Sequence, residues 1–179
     1  MGEARAIDFG EMVRYLELAW DAYQNHPKTP SQSVRRHDGA TPYFVHPTWA
    51  AMTLMQEAEL PLDLRWLGWR ALVLHDVQED TTLGLPSWVP ECVRELVGQL
   101  SFGSTEEGMK QIWNRPPVVR LLAAYDKASN LLDATWMSSR PLEYGENYKR
   151  HALALAADVK ENYGDLNICR IIRAICQSS

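Results

Sequence analysis

The chain has 179 residues, of which 46% are hydrophobic and 23% are charged. This length and composition are typical of one globular domain and exclude a disordered chain. The formal net charge of −5 argues against nucleic acid as a partner, because binding of that kind needs a basic stripe. A small anionic substrate stays open, since a local group of Arg and Lys can face one even in an acidic protein.

The cysteines and the apolar runs indicate the cellular compartment of the protein. Cys92, Cys169 and Cys176 are odd in number and lack Cys-x-x-Cys spacing, so we expect neither a disulfide framework nor a zinc cluster. The sequence shows no signal-peptide pattern and no apolar run of membrane-spanning length. We therefore expect a cytoplasmic protein with no membrane partner.

In the first half of the chain, apolar residues recur with a helical period. One apolar stripe predicts a first helix, and its members are Phe9, Met12, Val13, Leu16, Trp20 and Tyr23. Residues 26–42 contain three prolines and a glycine, which predicts a loop. A second helix is predicted after Pro47. A third, with Asp63 as its cap, is predicted to run as far as Asp80.

The second half of the chain follows the same helical pattern. Gly84 and Pro86 interrupt it, and Gly164 stands where a helix C-terminus often has glycine. Further helices are predicted over residues 92–100, 118–134, 146–162 and 166–175. No alternating strand pattern, internal repeat or interdomain linker is present. We expect an all-α fold, formed by a single compact multi-helix domain over residues 1–179.

The segment with the strongest chemical signal joins an apolar helix to a cluster of polar residues. His75 and Asp76 end the apolar run, and Glu79 and Asp80 follow one turn later, which brings the four side chains to one helical surface. Three of them can be negative, and a divalent cation would compensate their repulsion. The alternative is a solvated helix C-terminus, where carboxylates face the unfavourable end of the helix dipole. A metal or catalytic site is therefore the favoured interpretation.

Two distant residues are candidate partners for that cluster. His46 lies where a loop becomes a helix, although a lone histidine before a proline is more often structural. Asp126 lies within an otherwise apolar helical segment. It could be paired with Lys127 or Arg120, or it could bind a metal, because a buried carboxylate needs one or the other.

Three segments together resemble the HD superfamily, and within it the hydrolase domain of RelA/SpoT-type alarmone enzymes. The sequence looks closest to the small stand-alone alarmone hydrolases. The matching patterns are Pro-Tyr-x-x-His-Pro in residues 41–47, His-Asp-x-x-Glu-Asp-Thr in residues 73–81 and Asp-Lys-x-x-Asn-Leu in residues 125–131. The resemblance runs from about residue 35 to residue 159. It implies that residues 1–179 form a single HD phosphohydrolase domain.

The resemblance also implies roles for particular residues. One Mn²⁺ per chain would be held by His46, His75, Asp76 and Asp126. Fe²⁺ or another divalent ion would suit the same mixed ligands. Glu79 and Asp80 match the pair that positions and deprotonates the attacking water. The residues that match nucleotide contacts are Arg35, Arg36, Asn130 and Tyr148.

The activity implied is that of a metal-dependent phosphohydrolase with a small nucleotide as substrate. It would remove the 3′-diphosphate of guanosine 3′,5′-bis(diphosphate), the alarmone of the stringent response. One alternative is an HD phosphohydrolase for a 3′-phosphorylated cofactor or a nucleoside triphosphate, and another is a catalytically silent nucleotide-binding regulator. The chain departs from the family at residues 26–37, where a longer, proline-rich stretch replaces the compact His-x-x-Gln-x-Arg-Lys run.

Overall fold

The computed structural model of the chain describes residues 7–35, 38–133 and 141–177. Within these ranges the backbone is mainly helical, and β-pairing is limited to two isolated bridges. The α-helices are α1 (Phe9–Asn25), α2 (Val45–Met55), α3 (Leu62–Leu74), α4 (Val77–Asp80), α5 (Glu91–Leu100), α6 (Thr105–Gln111), α7 (Pro117–Leu132), α8 (Leu142–Tyr163) and α9 (Asn167–Gln177). The expected all-α fold is confirmed. No α-helix in the described ranges has the length and apolar composition that crossing a bilayer requires.

Helix α7 lies at the centre of the packing. It contacts α2, α3, α5, α8 and α9, and the buried apolar residues of these helices form one continuous cluster. Gly68 permits the close approach of α3 to its neighbours, because a Cβ there would lie 2.5 Å from Leu54 of α2 and 2.8 Å from Leu122 of α7. The three helices α2, α3 and α7 are therefore held close together.

Helix α1 is formed as expected, but only part of its apolar stripe faces the core: Tyr23 is buried, and Met12 and Leu16 pack against the core. The side chains of Phe9, Val13 and Trp20 are 73%, 51% and 47% exposed. The fully buried residues of the helix are Tyr23 and three residues outside the stripe, namely Tyr15, Ala19 and Ala22. Alanine contributes little to an apolar stripe in the sequence, yet it lets a helix approach its neighbours closely, and this is why the stripe did not include Ala19 and Ala22.

The predicted third helix is divided into two. Helix α3 ends at Leu74, His75 and Asp76 form a corner, and the single turn α4 follows. The amides of Glu79 and Asp80 both bond to the carbonyl of Asp76, so α4 starts afresh at that residue. The corner brings the His-Asp pair close to α2 and α7.

Candidate metal centre and cleft

A cleft of about 360 Å³ lies beside the corner between α3 and α4. The loop before α2, the loop after α5, and helices α7 and α8 form its other walls. Eight of the ten residues predicted for the site line it: Arg35, His75, Asp76, Glu79, Asp80, Asp126, Asn130 and Tyr148. His46 is buried beside the same group, in contact with Asp76 and Asp126. Arg36 falls outside the described residues.

Three of the predicted metal ligands, His46, His75 and Asp126, offer atoms within 4.8 Å of one another, and Asp76 lies against both imidazoles. The Nε2 atom of His46 lies 3.4 Å from Oδ2 of Asp76 and 3.2 Å from Oδ1 of Asp126. The Nε2 atom of His75 lies 3.1 Å and 3.6 Å from the same two oxygens. Ligands about 2.1 Å from a shared ion lie roughly 3 Å apart, which is close to these spacings.

A hydrogen bond at Nδ1 orients each of the two imidazole rings. The Nδ1 atom of His75 lies 2.7 Å from the carbonyl of Leu72, and that of His46 lies 2.8 Å from the hydroxyl of Ser129. That hydroxyl donates to the carbonyl of His46, so it accepts from Nδ1–H. In the neutral form of each ring the hydrogen then lies on Nδ1, and Nε2 has a lone pair that could bind a metal. Among the described residues neither Nε2 has a hydrogen-bond partner, as expected for atoms that bind a metal.

The two ligand carboxylates are oriented by neighbouring donors. The hydroxyl of Tyr43 donates to Oδ2 of Asp76 at 2.6 Å. The side-chain amide of Asn130 donates to Oδ1 of Asp126 at 2.7 Å, and the ammonium of Lys127 binds Oδ2 at 2.6 Å. Of the two partners considered for Asp126, Lys127 is the one observed, because Arg120 pairs with Asp158 on α8.

The electrostatics of the cluster keep its carboxylates ionised. Burial alone would raise the pKa of Asp76, but the imidazoles of His75 and His46 hold it well below its usual range. Burial likewise opposes ionisation of Asp126, but Lys127 and the imidazoles hold its pKa low. Burial would lower the pKa of His75, and the charges of Asp76 and Asp126 raise it well above its usual value instead. The cluster thus combines ionised carboxylates with imidazoles in a buried place, a set of groups that could hold a cation.

Glu79 and Asp80 stand beside this cluster with different surroundings. The backbone amide of Phe102 donates to Oε1 of Glu79 at 2.8 Å. Burial, with the charge of Asp76 added to it, raises the pKa of Glu79 to about 7. Burial and Asp76 also raise the pKa of Asp80, whose Oδ1 accepts a hydrogen bond from Gln32 at 2.8 Å. A carboxylate with a pKa near 7 suits proton transfer at neutral pH.

The described residues that are predicted to contact a nucleotide already contact other residues of the protein. Arg35 is buried, and its Nε lies 2.7 Å from Oδ2 of Asp133. A second nitrogen donates to Oδ1 of Asn130 at 3.3 Å, and the guanidinium lies 5.4 Å from the centre of the Tyr43 ring. Tyr148 is buried, with the ammonium of Lys127 5.9 Å from its ring centre. The charge of Arg35 is therefore balanced before any ligand binds.

The sequence analysis missed His151, which lines the cleft from α8. Burial, assisted by the charge of Lys127, lowers the pKa of His151 to about 4. The ring is therefore neutral at pH 7, and it packs edge-on against Trp113 with centroids 5.6 Å apart. The available signal was its position three residues after Tyr148, which gives both side chains one helix face.

The donor set fits a divalent transition-metal ion. His46, His75 and Asp126 offer ligand atoms within 4.8 Å of one another, and Asp76 adds a second carboxylate. Imidazole and carboxylate ligands together suit Mn²⁺ and Fe²⁺, while the cysteines are all free thiols that line no part of the cleft.

The sequence matches no protein-family model and no curated protein. Among solved structures, one with a similar fold is that of a metazoan ortholog of SpoT, which hydrolyses ppGpp and plays a role in starvation responses. The two chains are 19% identical, the match covers 97% of this chain and 98% of the other, and the TM-score is 0.69. The resemblance expected from the motifs is confirmed at the level of fold: the chain shares its all-helical fold with this SpoT ortholog.

Proposed function

We propose that the protein is a metal-dependent phosphohydrolase that removes the 3′-diphosphate of guanosine 3′,5′-bis(diphosphate). The proposal treats residues 1–179 as a single HD phosphohydrolase domain with one Mn²⁺. The observation that carries it is the pair of buried Nε2 atoms, on His46 and His75, that face two ionised carboxylates and lack hydrogen bonds within the described residues. The fold shared with a ppGpp hydrolase supports the choice of substrate.

The chemistry assigned to the chain's own residues is proton transfer and positioning. A divalent ion held by His46, His75, Asp76 and Asp126 would supply Lewis-acid charge to a phosphoryl oxygen. Glu79, with a pKa of about 7, accepts a proton from the attacking water. The new bond joins the water oxygen to phosphorus, the bond from phosphorus to the ribose 3′ oxygen breaks, and that oxygen takes up a proton from solvent to become the 3′ hydroxyl. The products are guanosine 5′-diphosphate and pyrophosphate.

One observation favours a second candidate, an HD phosphohydrolase for a less charged nucleotide. The described lining of the cleft has five carboxylates against two permanent cations, Arg35 and Lys127. Both cations are paired, with Asp133 and Asp126 respectively. A bis(diphosphate) carries several negative charges, and such a lining would favour a nucleotide with fewer of them.

A substrate comparison tests the proposal. The protein is incubated with Mn²⁺ and, separately, with the alarmone, a nucleoside triphosphate and a 3′-phosphorylated cofactor, and the nucleotides are separated by chromatography. We expect the alarmone to yield guanosine 5′-diphosphate and pyrophosphate, with the 5′-diphosphate intact. The His75→Ala variant is the matched control, because it lacks a proposed ligand and should be inactive.

The remaining outcomes separate the candidates. If the alarmone survives while another nucleotide is consumed, the HD chemistry stands and the substrate is wrong. If no nucleotide is consumed although Mn²⁺ is bound, the enzyme proposal fails and a silent nucleotide-binding regulator becomes the better interpretation.

A further inference from the structure

The proline-rich loop of residues 27–33, here called the latch loop, is bonded to the end of α4. Pro27 and Thr81 form an antiparallel bridge. On either side of it, the amide of Lys28 donates to the carbonyl of Asp80 at 2.9 Å, and the amide of Thr82 donates to the carbonyl of His26 at 2.8 Å. The backbone of the acidic pair is therefore held by a segment about fifty residues away in sequence.

Lys28 adds a side-chain contact to the same turn. Its ammonium lies 2.9 Å from the carbonyl oxygen of Gln78 and 2.6 Å from that of Glu79. A one-turn helix has little stability of its own, because nucleation costs more than one hydrogen bond returns. A cation at the C-terminal carbonyls also favours the helix dipole. Lys28 therefore stabilises the turn that presents Glu79.

Gln32 connects the latch loop to the side chain of Asp80. Its Nε2 donates to Oδ1 of Asp80 at 2.8 Å. Its Oε1 accepts from the amide of Thr29 at 2.9 Å and from the hydroxyl of Thr29 at 3.0 Å. The orientation of the side-chain amide is determined by these partners, because a backbone N–H can only donate. One end of Gln32 thus closes the loop, and the other fixes a carboxylate in the cleft.

We propose that the latch loop is a positioning device for the acidic pair, in which Gln32 orients Asp80 and Lys28 fixes the turn that carries Glu79. The inference rests on the proposed function, because it gives these carboxylates a part in the reaction. It assigns the loop a task other than contact with the substrate. The longer proline-rich stretch can perform this task because its backbone forms hydrogen bonds with the backbone of residues 80–82.

The Gln32→Glu variant tests the side-chain contact. It retains an oxygen that can accept from Thr29, and it replaces the donor to Asp80 by an oxygen that repels it. Gln56→Glu makes the same chemical change at an exposed position on the end of α2 and serves as the control. We expect kcat to fall about tenfold to a hundredfold, as for misplaced catalytic groups, with KM, Mn²⁺ content and Tm equal to those of the control.

The Lys28→Met variant tests the turn without any substrate. Hydrogen exchange of the amides of residues 77–82 should become at least tenfold faster, and Lys110→Met, at an exposed site on α6, should leave those rates unchanged.

Each remaining result contradicts one claim in particular. An unchanged kcat in Gln32→Glu, or a raised KM with unchanged kcat, would overturn the positioning role. Exchange rates in Lys28→Met that equal those of the wild type would overturn the hold on α4. If the wild-type protein turns over no nucleotide, the proposed function fails, and the exchange measurement alone decides whether the loop holds the turn.

Discussion

Asp76 and Glu79 are carboxylates three residues apart with opposite acidities. Asp76 faces two imidazoles, which hold its pKa well below the usual range. Glu79 is buried near the negative charge of Asp76, so its pKa rises to about 7. Active sites often place neighbouring carboxyl groups in different environments, so that one stays ionised and the other can exchange a proton near neutral pH. Asp76 suits the first role and Glu79 the second.

The role of Glu79 gives a prediction with a pH dependence. A base must be deprotonated, so kcat/KM of the wild-type protein should rise with pH and level off above the pKa of Glu79, which is about 7 without a metal and lower when a bound cation offsets the charge of Asp76. Glu79→Gln should retain the metal and lose roughly two to four orders of magnitude in kcat. Steady-state kinetics from pH 5 to pH 9 measures both effects. Activity within a few-fold of wild type would transfer the role to another group, such as Asp80.

The hydroxyl of Tyr43 supports a second prediction, which concerns metal affinity. It donates to the oxygen of Asp76 that faces both imidazoles. Partners of ligating groups typically contribute about tenfold to a hundredfold in metal affinity. Tyr43→Phe should weaken Mn²⁺ binding by that factor in calorimetric titration. Tyr125→Phe is the matched control, because its buried hydroxyl donates to Glu57 and not to a ligand, and equal losses in both variants would refute the assignment.

At the scale of elements, the helical period predicted most of the helices but not their arrangement. The sequence analysis missed the break between α3 and α4. Helix α4 is held by contacts with a loop about fifty residues earlier, and the apolar period of a local segment does not reveal such contacts. Helix α6 was missed because Thr105–Gln111 has no apolar period. Ser104 caps it by accepting the amide of Glu107. An apolar period predicts a helix with one buried face, whereas these two elements depend on a loop contact and a cap.

The candidate site divides in the same way. Motif spacing was enough to select His46, His75, Asp76 and Asp126, and the fold brings all four together. Lys28 and Gln32 belong to no recognised pattern, and their contacts with α4 arise only from the path of the loop. The four candidate ligands were therefore predictable from motif spacing, and the loop residues that contact α4 were not.

The start of α9 yields a prediction about stability. The buried carboxylate of Glu57 accepts from the hydroxyl of Tyr125 and from the amides of Asn167 and Ile168, each at 2.9 Å. Glu57→Ala would leave three buried donors without their partner, and we expect the free energy of unfolding to fall by about 2–4 kcal/mol. Urea denaturation measures the change. The exposed neighbour Glu59 provides the control, because Glu59→Ala should lie within about 0.5 kcal/mol of wild type.

At the scale of the whole molecule, the four candidate metal ligands come from three parts of the core. His46 comes from α2, the pair of His75 and Asp76 from the corner after α3, and Asp126 from α7. These helices also pack on one another around Gly68. An ion bound by all four side chains would therefore link elements that separate when the protein unfolds, and its binding energy would become folding energy.

The last prediction follows from that linkage. A ligand that binds only the folded state adds about 2.7 kcal/mol at a concentration one hundred times its Kd. For a chain of 179 residues, each kcal/mol corresponds to roughly 2–4 °C, so Mn²⁺ should raise Tm by about 5–10 °C. Asp126→Ala should abolish this rise, because it removes a ligand that no neighbouring carboxylate on α7 replaces. Asp63→Ala, at an exposed position in the first turn of α3, should keep it. Differential scanning calorimetry with and without Mn²⁺ compares the shift within each variant, so that any change in the metal-free protein cancels. Equal shifts in the two variants would place the stabilising ion elsewhere on the molecule and contradict the assignment of Asp126.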